Sequence, residues 1–168
     1  MREIFLLLFA VLIHEFGHLA AAKLLGVGNV SFALKSMGGI FTFDFSHTSF
    51  IREIIVHLSG SVFGLISAAA AYALFRESAL FFVGVSVSLS IVNLLPIFGF
   101  DGGGILFSFL SIFLLPDDSY KICGIVSNVV SAVLWAVVIN TELKYSVNLG
   151  LLCFSITVFL SQLRLNRT

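Results

Sequence analysis

Long apolar runs occupy most of the chain, and only short polar segments separate them. Hydrophobic residues make up 59% of the 168 positions and charged residues only 11%, whereas a soluble domain has about 25% charged residues. So little charge cannot cover a globule in water, and lipid is the expected solvent for most of the surface. We therefore expect a single integral-membrane domain over residues 1–168, without room for a separate soluble domain.

The apolar runs predict an all-α polytopic membrane protein with five transmembrane helices, since a span needs about 20 apolar residues. The first three would form a core over about residues 4–115, and two more would follow over about residues 120–163. Because the first run contains His14 and Glu15 and continues apolar to Leu25, we interpret it as a retained helix and not as a signal peptide. The predicted spans are residues 4–25, 51–75, 79–95, 120–139 and 147–163.

A short β-hairpin is predicted between the first two spans. Gly38-Gly39 separates two alternating apolar stretches, which is a hairpin signal. We expect strands near residues 30–36 and 40–44. They should lie at the membrane surface or in a cavity lined by protein, because an open strand edge cannot face lipid.

The distribution of charge argues against nucleic acid as a partner and bears on orientation. The formal net charge is zero and no basic run occurs, so no nucleic-acid partner is expected. If residues 105–115 do not cross the bilayer, six of the nine Lys and Arg residues share the C-terminal side, which the positive-inside rule makes cytoplasmic. If they do cross, the sides hold four and five, and the orientation stays open. The six residues are Lys23, Lys35, Arg52, Lys121, Arg164 and Arg167.

His14-Glu15-Phe16-Gly17-His18, inside the first predicted span, fits the pattern H-E-x-x-H. Residues four apart on a helix point to nearly the same face, about 6 Å apart along the axis. The two imidazoles can therefore bind one zinc ion, and Glu15 lies beside them, where it can take a proton from a zinc-bound water. The alternative is three polar residues that only satisfy one another in a helix bundle. Ionisable groups inside a span are costly and seldom incidental, which favours the metal site.

A third zinc ligand must come from another part of the chain. Asp101 stands out because residues 93–104 form an apolar segment that contains Pro96 and four glycines. Such a segment breaks a membrane helix and is tolerated where its backbone is buried in protein or lines a cavity. Asp101 could instead be an ordinary turn or helix-cap aspartate at the membrane surface. Asn93, eight residues earlier, could bind an extended substrate or make a helix–helix hydrogen bond.

The other two imidazoles, His47 and His57, are interpreted as interface or packing residues. His47 lies in a polar stretch and is expected to be exposed, and His57 lies near the start of the second predicted span. Neither is followed three or four residues later by another metal-ligating residue type.

These motifs together resemble the site-2 protease family of intramembrane zinc metalloproteases, especially its small sporulation-type members, which process a membrane-tethered transcription-factor precursor. The first matching motif extends from Leu12 to His18. The second extends from Asn93 to Gly103 and follows the family pattern N-x-x-P with a Leu-Asp-Gly-like end. The Gly38-Gly39 and Gly60 regions come in the family's order, so the resemblance covers about residues 4–115.

The resemblance implies a set of site residues and one cofactor. One zinc ion would be held by His14, His18 and Asp101, with Glu15 as the general base. Asn93 would help to seat the substrate.

The resemblance also implies partners and a location. The hairpin at Gly38-Gly39 would offer a strand edge to an unwound substrate helix, which is β-augmentation. The substrate would be a membrane-tethered protein, the surroundings the lipid bilayer, and regulation would need a separate membrane protein. A bacterial cell membrane, with the active site toward the cytoplasm, is the implied location.

The chain departs from the family pattern at three places. Gly60-Ser61-Val62-Phe63-Gly64 stands where Gly-Pro-x-x-Asn is frequent, Gly99 stands where proline is frequent, and Phe100 replaces the usual leucine. These changes leave the implied ligands and base intact and bear on substrate gating and selectivity.

A function of another class stays open: a non-catalytic metal-binding membrane scaffold, or a transporter derived from the same fold. The missing proline and asparagine near Gly60 favour it. Against a scaffold, Glu15 need not ligate a metal and would have little reason to be present. Against a transporter, paired repeats with a broken helix in each half are expected, and this sequence has one broken segment.

Overall fold

The computed structural model describes residues 1–28, 30–32, 41–145 and 156, and this part of the chain is mainly helical. Two short strands lie between the first and second helices, and a 3-10 turn separates the second from the third. The elements are α1 (Arg2–Leu24), β1 (Val30–Phe32), β2 (Phe41–Phe43), α2 (Phe50–Phe75), the 3-10 turn (Arg76–Ala79), α3 (Leu80–Asn93), α4 (Asp101–Ser111) and α5 (Pro116–Tyr145).

Three helical stretches of the described chain are long and apolar enough to cross a membrane, which indicates a membrane protein. The stretches are Arg2–Leu24, Phe50–Asn93 and Pro116–Glu142, and the second contains both α2 and α3. The last predicted span, residues 147–163, lies outside the described residues except for residue 156. The count of five spans therefore stays a prediction.

The helices carry large apolar side chains outside and small or polar residues inside. Phe5, Leu12 and Phe16 of α1 expose 70%, 58% and 58% of their surface. The buried positions of the same helix are three alanines, a glycine, a glutamate and two histidines. Water would make such an outer surface costly, whereas helices in lipid pack through small residues and face the acyl chains with large ones. The arrangement fits lipid as the outer solvent.

α1 and α2 cross at very short range near Gly17. A Cβ atom at Gly17 would lie 2.7 Å from the carbonyl oxygen of Ser59 and 3.0 Å from Cα of Gly60. Both contacts are with backbone, so only a residue without a side chain fits at this crossing. The close approach brings the histidine face of α1 against α2.

α1 ends at Leu24, one residue before the end of the predicted span at residue 25. Gly26 has a φ of +63°, and the N–H of Val27 donates to the carbonyl of Ala22 at 2.9 Å. These are the features of a Schellman-type helix end. Val27 and Ala22 are then buried with Val56 of α2 in one apolar cluster, which fixes the exit direction of the chain.

α2 and α3 fold back on each other around the 3-10 turn, where Arg76 has a φ of +51°. The hydroxyl groups of Ser61 and Ser90 donate reciprocally to each other's backbone carbonyl, each at 3.2 Å. A Cβ atom at Gly64 would lie 2.7 Å from Oγ of Ser90. The region where the chain departs from the Gly-Pro-x-x-Asn pattern is therefore a tight contact between α2 and α3.

The break predicted around Pro96 is present, because α3 ends at Asn93 and α4 begins at Asp101. Gly99, inside the turn, has a φ of +96°. Proline cannot adopt this conformation because its ring holds φ near about −65°. The departure from the family pattern at Gly99 is thus a requirement of this backbone.

Two glycines let α4 pack directly onto that turn. A Cβ atom at Gly102 would overlap the backbone of Leu94, and one at Gly103 would overlap the carbonyl of Ile97. Ile97 is fully buried beside Phe100. The glycine run therefore positions the start of α4, and with it Asp101, against the end of α3.

α4 is too short to cross the bilayer alone. It has 11 residues, which is about 16 Å at 1.5 Å per residue, against about 30 Å of hydrocarbon. The helix also begins four residues before the predicted short segment 105–115. α4 begins directly after the turn because its three glycines fit closely against Leu94, Ile97 and His57, where larger residues would clash.

α5 begins at Pro116, a residue favoured at the first position of a helix, and packs against α4 and the turn. Its buried side consists of small residues spaced four apart, beginning with Ser119, Cys123 and Ser127. Oγ of Ser127 accepts a hydrogen bond from the backbone N–H of Phe98 at 2.9 Å. α5 thereby supports the turn before Asp101.

β1 and β2 pair antiparallel, with Val30 opposite Phe43. Both lie within the predicted ranges 30–36 and 40–44, and each has three residues. The Gly38-Gly39 turn lies outside the described residues, so the hairpin itself stays a prediction. The ring of Phe43 lies 6.5 Å from that of His18, so β2 is beside the histidine-bearing half of α1.

Candidate metal centre

Three side chains converge between α1 and the start of α4. Nε2 of His14 and Nε2 of His18 lie 3.2 Å apart, and each lies 3.1 Å from Oδ2 of Asp101. The three side chains expose only 3%, 6% and 15% of their surface. Ligands at about 2.0–2.1 Å in a tetrahedron around zinc lie about 3.3–3.4 Å from one another. The triangle of side-chain atoms is therefore close to the size that one zinc ion requires.

The chain brings these atoms together from two distant segments. His14 and His18 share a face of α1 because they are four residues apart, and their ring centroids are 4.8 Å apart. Asp101 is 87 residues away from His14 in sequence and reaches the pair because the turn after α3 places the start of α4 there. Residues of these types with one atom each facing a common point can hold a metal ion.

The orientation of His18 is set by α2. Its Nδ1 lies 2.7 Å from the carbonyl oxygen of Val56, which also accepts a hydrogen bond from Oγ of Ser59 at 2.6 Å. A carbonyl group only accepts, so Nδ1 of His18 carries the proton and the Nε2 lone pair of the neutral ring faces the cluster. Metal-binding histidines are commonly held in this way.

His14 differs from His18 in the hydrogen bonding of its Nδ1 atom. Its Nδ1 is buried, and within the described part of the chain it has no hydrogen-bond partner. Its ring is instead held by its Nε2 contacts with His18 and Asp101. If Nε2 of His14 binds a cation, the ring proton lies on Nδ1, the atom that has no partner among the described residues.

Asp101 begins α4, outside the three candidate membrane-crossing stretches. A carboxylate at the first turn of a helix is favoured by the helix dipole. Burial raises the pKa of the Asp101 carboxyl, but its contacts with the imidazoles of His14, His18 and His57 outweigh burial, so this pKa lies well below its usual range. The group is therefore ionised at neutral pH, as a carboxylate metal ligand must be.

Glu15, the predicted general base, lies inside the helix bundle. It is 9% exposed, although the neighbouring Phe16 is 58% exposed. Since Glu15 follows His14 directly, its side chain leaves α1 next to the face that carries the two imidazoles. A carboxyl group is thus kept on the interior side of the helix with the cluster.

Asn93, which is also predicted to belong to the site, does not join the cluster. Nδ2 of Asn93 donates to the carbonyl of Leu89 in its own helix at 3.0 Å, so this bond is not the helix–helix bond considered above. A role for Asn93 in substrate binding stays a prediction. His47 is exposed, as expected. Gly38 and Gly39 lie outside the described residues.

His57 lies nearer the cluster than its interpretation as a packing or interface residue implies. Its Nδ1 is 3.4 Å from Oδ1 of Asp101. A sequence signal did point this way: Glu53 lies four residues before His57 and Gly60 three after, so the three share one face of α2. Glu53 is buried and accepts a hydrogen bond from Ser108 of α4 at 2.7 Å. Ionisable residues one turn apart in a span indicate an interior face.

Gly60 makes room for both imidazoles. A Cβ atom there would overlap Nε2 of His18 and would lie 2.9 Å from Nε2 of His14. We therefore expect Gly60→Ala to turn at least one ring away and to weaken zinc binding by about 10- to 100-fold, the range seen when groups that orient metal ligands are changed. Competition with a chromophoric chelator would measure the affinity.

The matched control for Gly60→Ala is Gly84→Ala in α3. No atom lies within 4 Å of a Cβ built at Gly84, so this substitution adds the same methyl group to a helix without a clash. Its zinc affinity should equal that of the unaltered protein. Equal affinities for Gly60→Ala and Gly84→Ala would show that the rings do not need the space at Gly60.

Comparison of the chain with protein-family models and with curated proteins found no match. A function must therefore be argued from the residues of the site and their arrangement, because a helical membrane fold alone does not specify one.

Proposed function

We propose that this protein is an intramembrane zinc metalloprotease, which hydrolyses a peptide bond of a membrane-tethered protein within or near the bilayer. The observation that carries the proposal is the convergence of Nε2 of His14, Nε2 of His18 and Oδ2 of Asp101 to within 3.1–3.2 Å of one another. Two imidazoles and one carboxylate leave a fourth position open, and this is the donor set of hydrolytic zinc sites.

The protein's own residues would divide the work as follows. His14, His18 and Asp101 would hold a zinc ion, which would supply a water of lowered pKa and polarise the scissile carbonyl. Glu15 takes a proton from the attacking water as its oxygen bonds to the carbonyl carbon. As the carbon–nitrogen bond breaks, Glu15 returns that proton to the leaving amine. The products are a new carboxylate and a new amino terminus.

The surroundings of the cluster suit an extended peptide. A helix backbone is hydrogen-bonded internally, so the substrate must unwind before its carbonyl can be attacked. β2 lies beside the cluster, with Phe43 near His18 and Phe45 5.5 Å from the ring of His57. An unwound segment could pair with a strand there. Helix-breaking residues near the cut would lower the cost of unwinding.

The location we propose follows from charge. His18 lies five residues, or about 7.5 Å along the helix, before Lys23 at the end of α1, and Arg52 lies at the start of α2 near the same end. The positive-inside rule favours the cytoplasm for this end. The site would then open toward the cytoplasmic side of a bacterial cell membrane, where water can reach it.

The test is hydrolysis that depends on zinc. The purified chain would be reconstituted in liposomes with a pool of single-span peptides that carry glycine or proline near their centres, in heavy-oxygen water. We expect cleavage products with one heavy oxygen in each new carboxyl group. Removal of the metal with a chelator should abolish them, and added zinc should restore them.

The non-catalytic alternative, a metal-binding scaffold or transporter, gives a different result. Zinc would bind at the cluster, yet none of the peptides would acquire heavy oxygen. Cleavage that persists in metal-free protein would contradict the proposed mechanism as well.

A further inference from the structure

His57 occupies a position next to the cluster without being part of the triangle. Its Nδ1 faces Oδ1 of Asp101 at 3.4 Å, whereas Oδ2 of the same carboxylate faces His14 and His18 at 3.1 Å. Oδ2 of Asp101 thus faces the candidate ligands on α1, and Oδ1 faces α2.

The chemistry of His57 and Asp101 decides which of the two donates the hydrogen bond. A carboxylate that binds a metal ion is deprotonated, and in that form Asp101 can only accept hydrogen bonds. The distance of 3.4 Å is long for a hydrogen bond but within reach of a small ring rotation. Nδ1 of His57 is therefore the donor, and a proton there leaves Nε2 without one in the neutral ring.

Contacts with Gly104 and Phe45 hold the ring of His57 in this position. A Cβ atom at Gly104 would lie 2.5 Å from Nε2 and 2.7 Å from Cδ2 of the ring, so the ring rests directly on the backbone of α4. The ring of Phe45 lies 5.5 Å from that of His57. The side chain is 24% exposed. As at Gly102 and Gly103, a side chain at Gly104 would clash, and here the imidazole of His57 occupies the space.

We propose that His57 is a positioning residue, which donates a hydrogen bond from Nδ1 to Oδ1 of Asp101 and so directs Oδ2 toward the metal ion. Without it the carboxylate can rotate about its terminal bond and bind the ion through either oxygen or through both. Groups that hold metal ligands in this way typically contribute about 10- to 100-fold to metal affinity. The inference rests on the proposed zinc site and adds a residue to it.

The test compares zinc affinity in detergent for the unaltered protein, His57→Leu and His57→Asn. Leucine removes the donor, whereas the amide nitrogen of asparagine takes about the position of Nδ1 and keeps it. We expect His57→Leu to bind zinc about 10- to 100-fold more weakly and His57→Asn to bind within a few-fold of the unaltered protein. In cobalt-loaded samples, the visible absorption should change in His57→Leu and return in His57→Asn. A loss of packing alone would not be rescued by asparagine.

The outcomes separate this inference from the proposed function. If the unaltered protein does not bind zinc, the zinc site itself is wrong. If it binds zinc and His57→Leu binds equally well, only the role of His57 is overturned. His57→Asn as weak as His57→Leu would also overturn it, and would be the result if His57 bound the metal directly.

A second variant covers the case in which His57→Leu does not fold. Gly104→Ala keeps the imidazole but places a methyl group too close to its Nε2 and Cδ2 atoms, so the ring must leave its present position beside Asp101. It should weaken zinc binding as His57→Leu does, while His57→Asn stays near the unaltered protein. Full affinity in Gly104→Ala would contradict the proposed orientation.

Discussion

Replacement of Glu15 by glutamine is expected to abolish cleavage while zinc stays bound. Glutamine has nearly the same shape as glutamate but cannot take a proton from water, and a positioned general base contributes about 10²- to 10⁴-fold to such reactions. Because Glu15 is buried beside the imidazoles and is not one of the three converging ligands, its replacement should leave the metal site intact. New amino termini within membrane spans, counted by mass spectrometry in cells that express either protein, would measure the loss.

A matched control for this substitution is Glu77→Gln. Glu77 lies in the 3-10 turn between α2 and α3 and is exposed, so its replacement changes the charge by the same amount away from the cluster. It should cleave as the unaltered protein does. Unchanged cleavage in Glu15→Gln would rule out Glu15 as the base, and loss of zinc in that variant would assign it to metal binding instead.

Asp101→Asn should remove most of the zinc affinity. Asparagine keeps the size of the side chain but loses the negative charge, and its amide can direct an N–H group toward the metal in place of an oxygen. A carboxylate that supplies one of three protein ligands should matter more than a group that only orients one, so we expect a loss of more than about 100-fold. Zinc per protein after equilibration with a metal buffer would measure it.

Asp117→Asn is the control for Asp101→Asn, since Asp117 is an exposed aspartate in the first turn of α5 and Asp101 stands in the first turn of α4. Both variants lose a carboxylate from a helix start, so effects of the helix dipole are matched. Circular dichroism would show that both remain helical. Zinc occupancy in Asp101→Asn equal to that in Asp117→Asn would count against Asp101 as a ligand.

Much of the helical framework could be predicted because its signals are local. Gly26 ends α1 and Pro116 begins α5 through backbone properties that any neighbouring structure would respect. His14 and His18 share a face because of helix geometry alone. Asp101 was found by a less direct route, as the acidic residue of a segment that could not be an ordinary span.

The parts that sequence reasoning missed depend on contacts between segments. The sequence shows glycines at positions 60 and 104 but not what they make room for, and each leaves space for an imidazole that comes from another helix. The face shared by Glu53 and His57 can be read within α2, whereas the partner of His57 is 44 residues away. The spaces and this pairing arise only when helices meet, so no pattern within one helix records them.

The hydrogen bond from His18 to the carbonyl of Val56 has a genetic consequence. Since the acceptor is a main-chain atom, replacing the side chain of Val56 leaves it in place. The group that we propose to hold Asp101 is the side chain of His57, which a single nucleotide change can remove. The two halves of the proposed site therefore differ in mutational robustness, and the support of the aspartate is the one that a point mutation can remove.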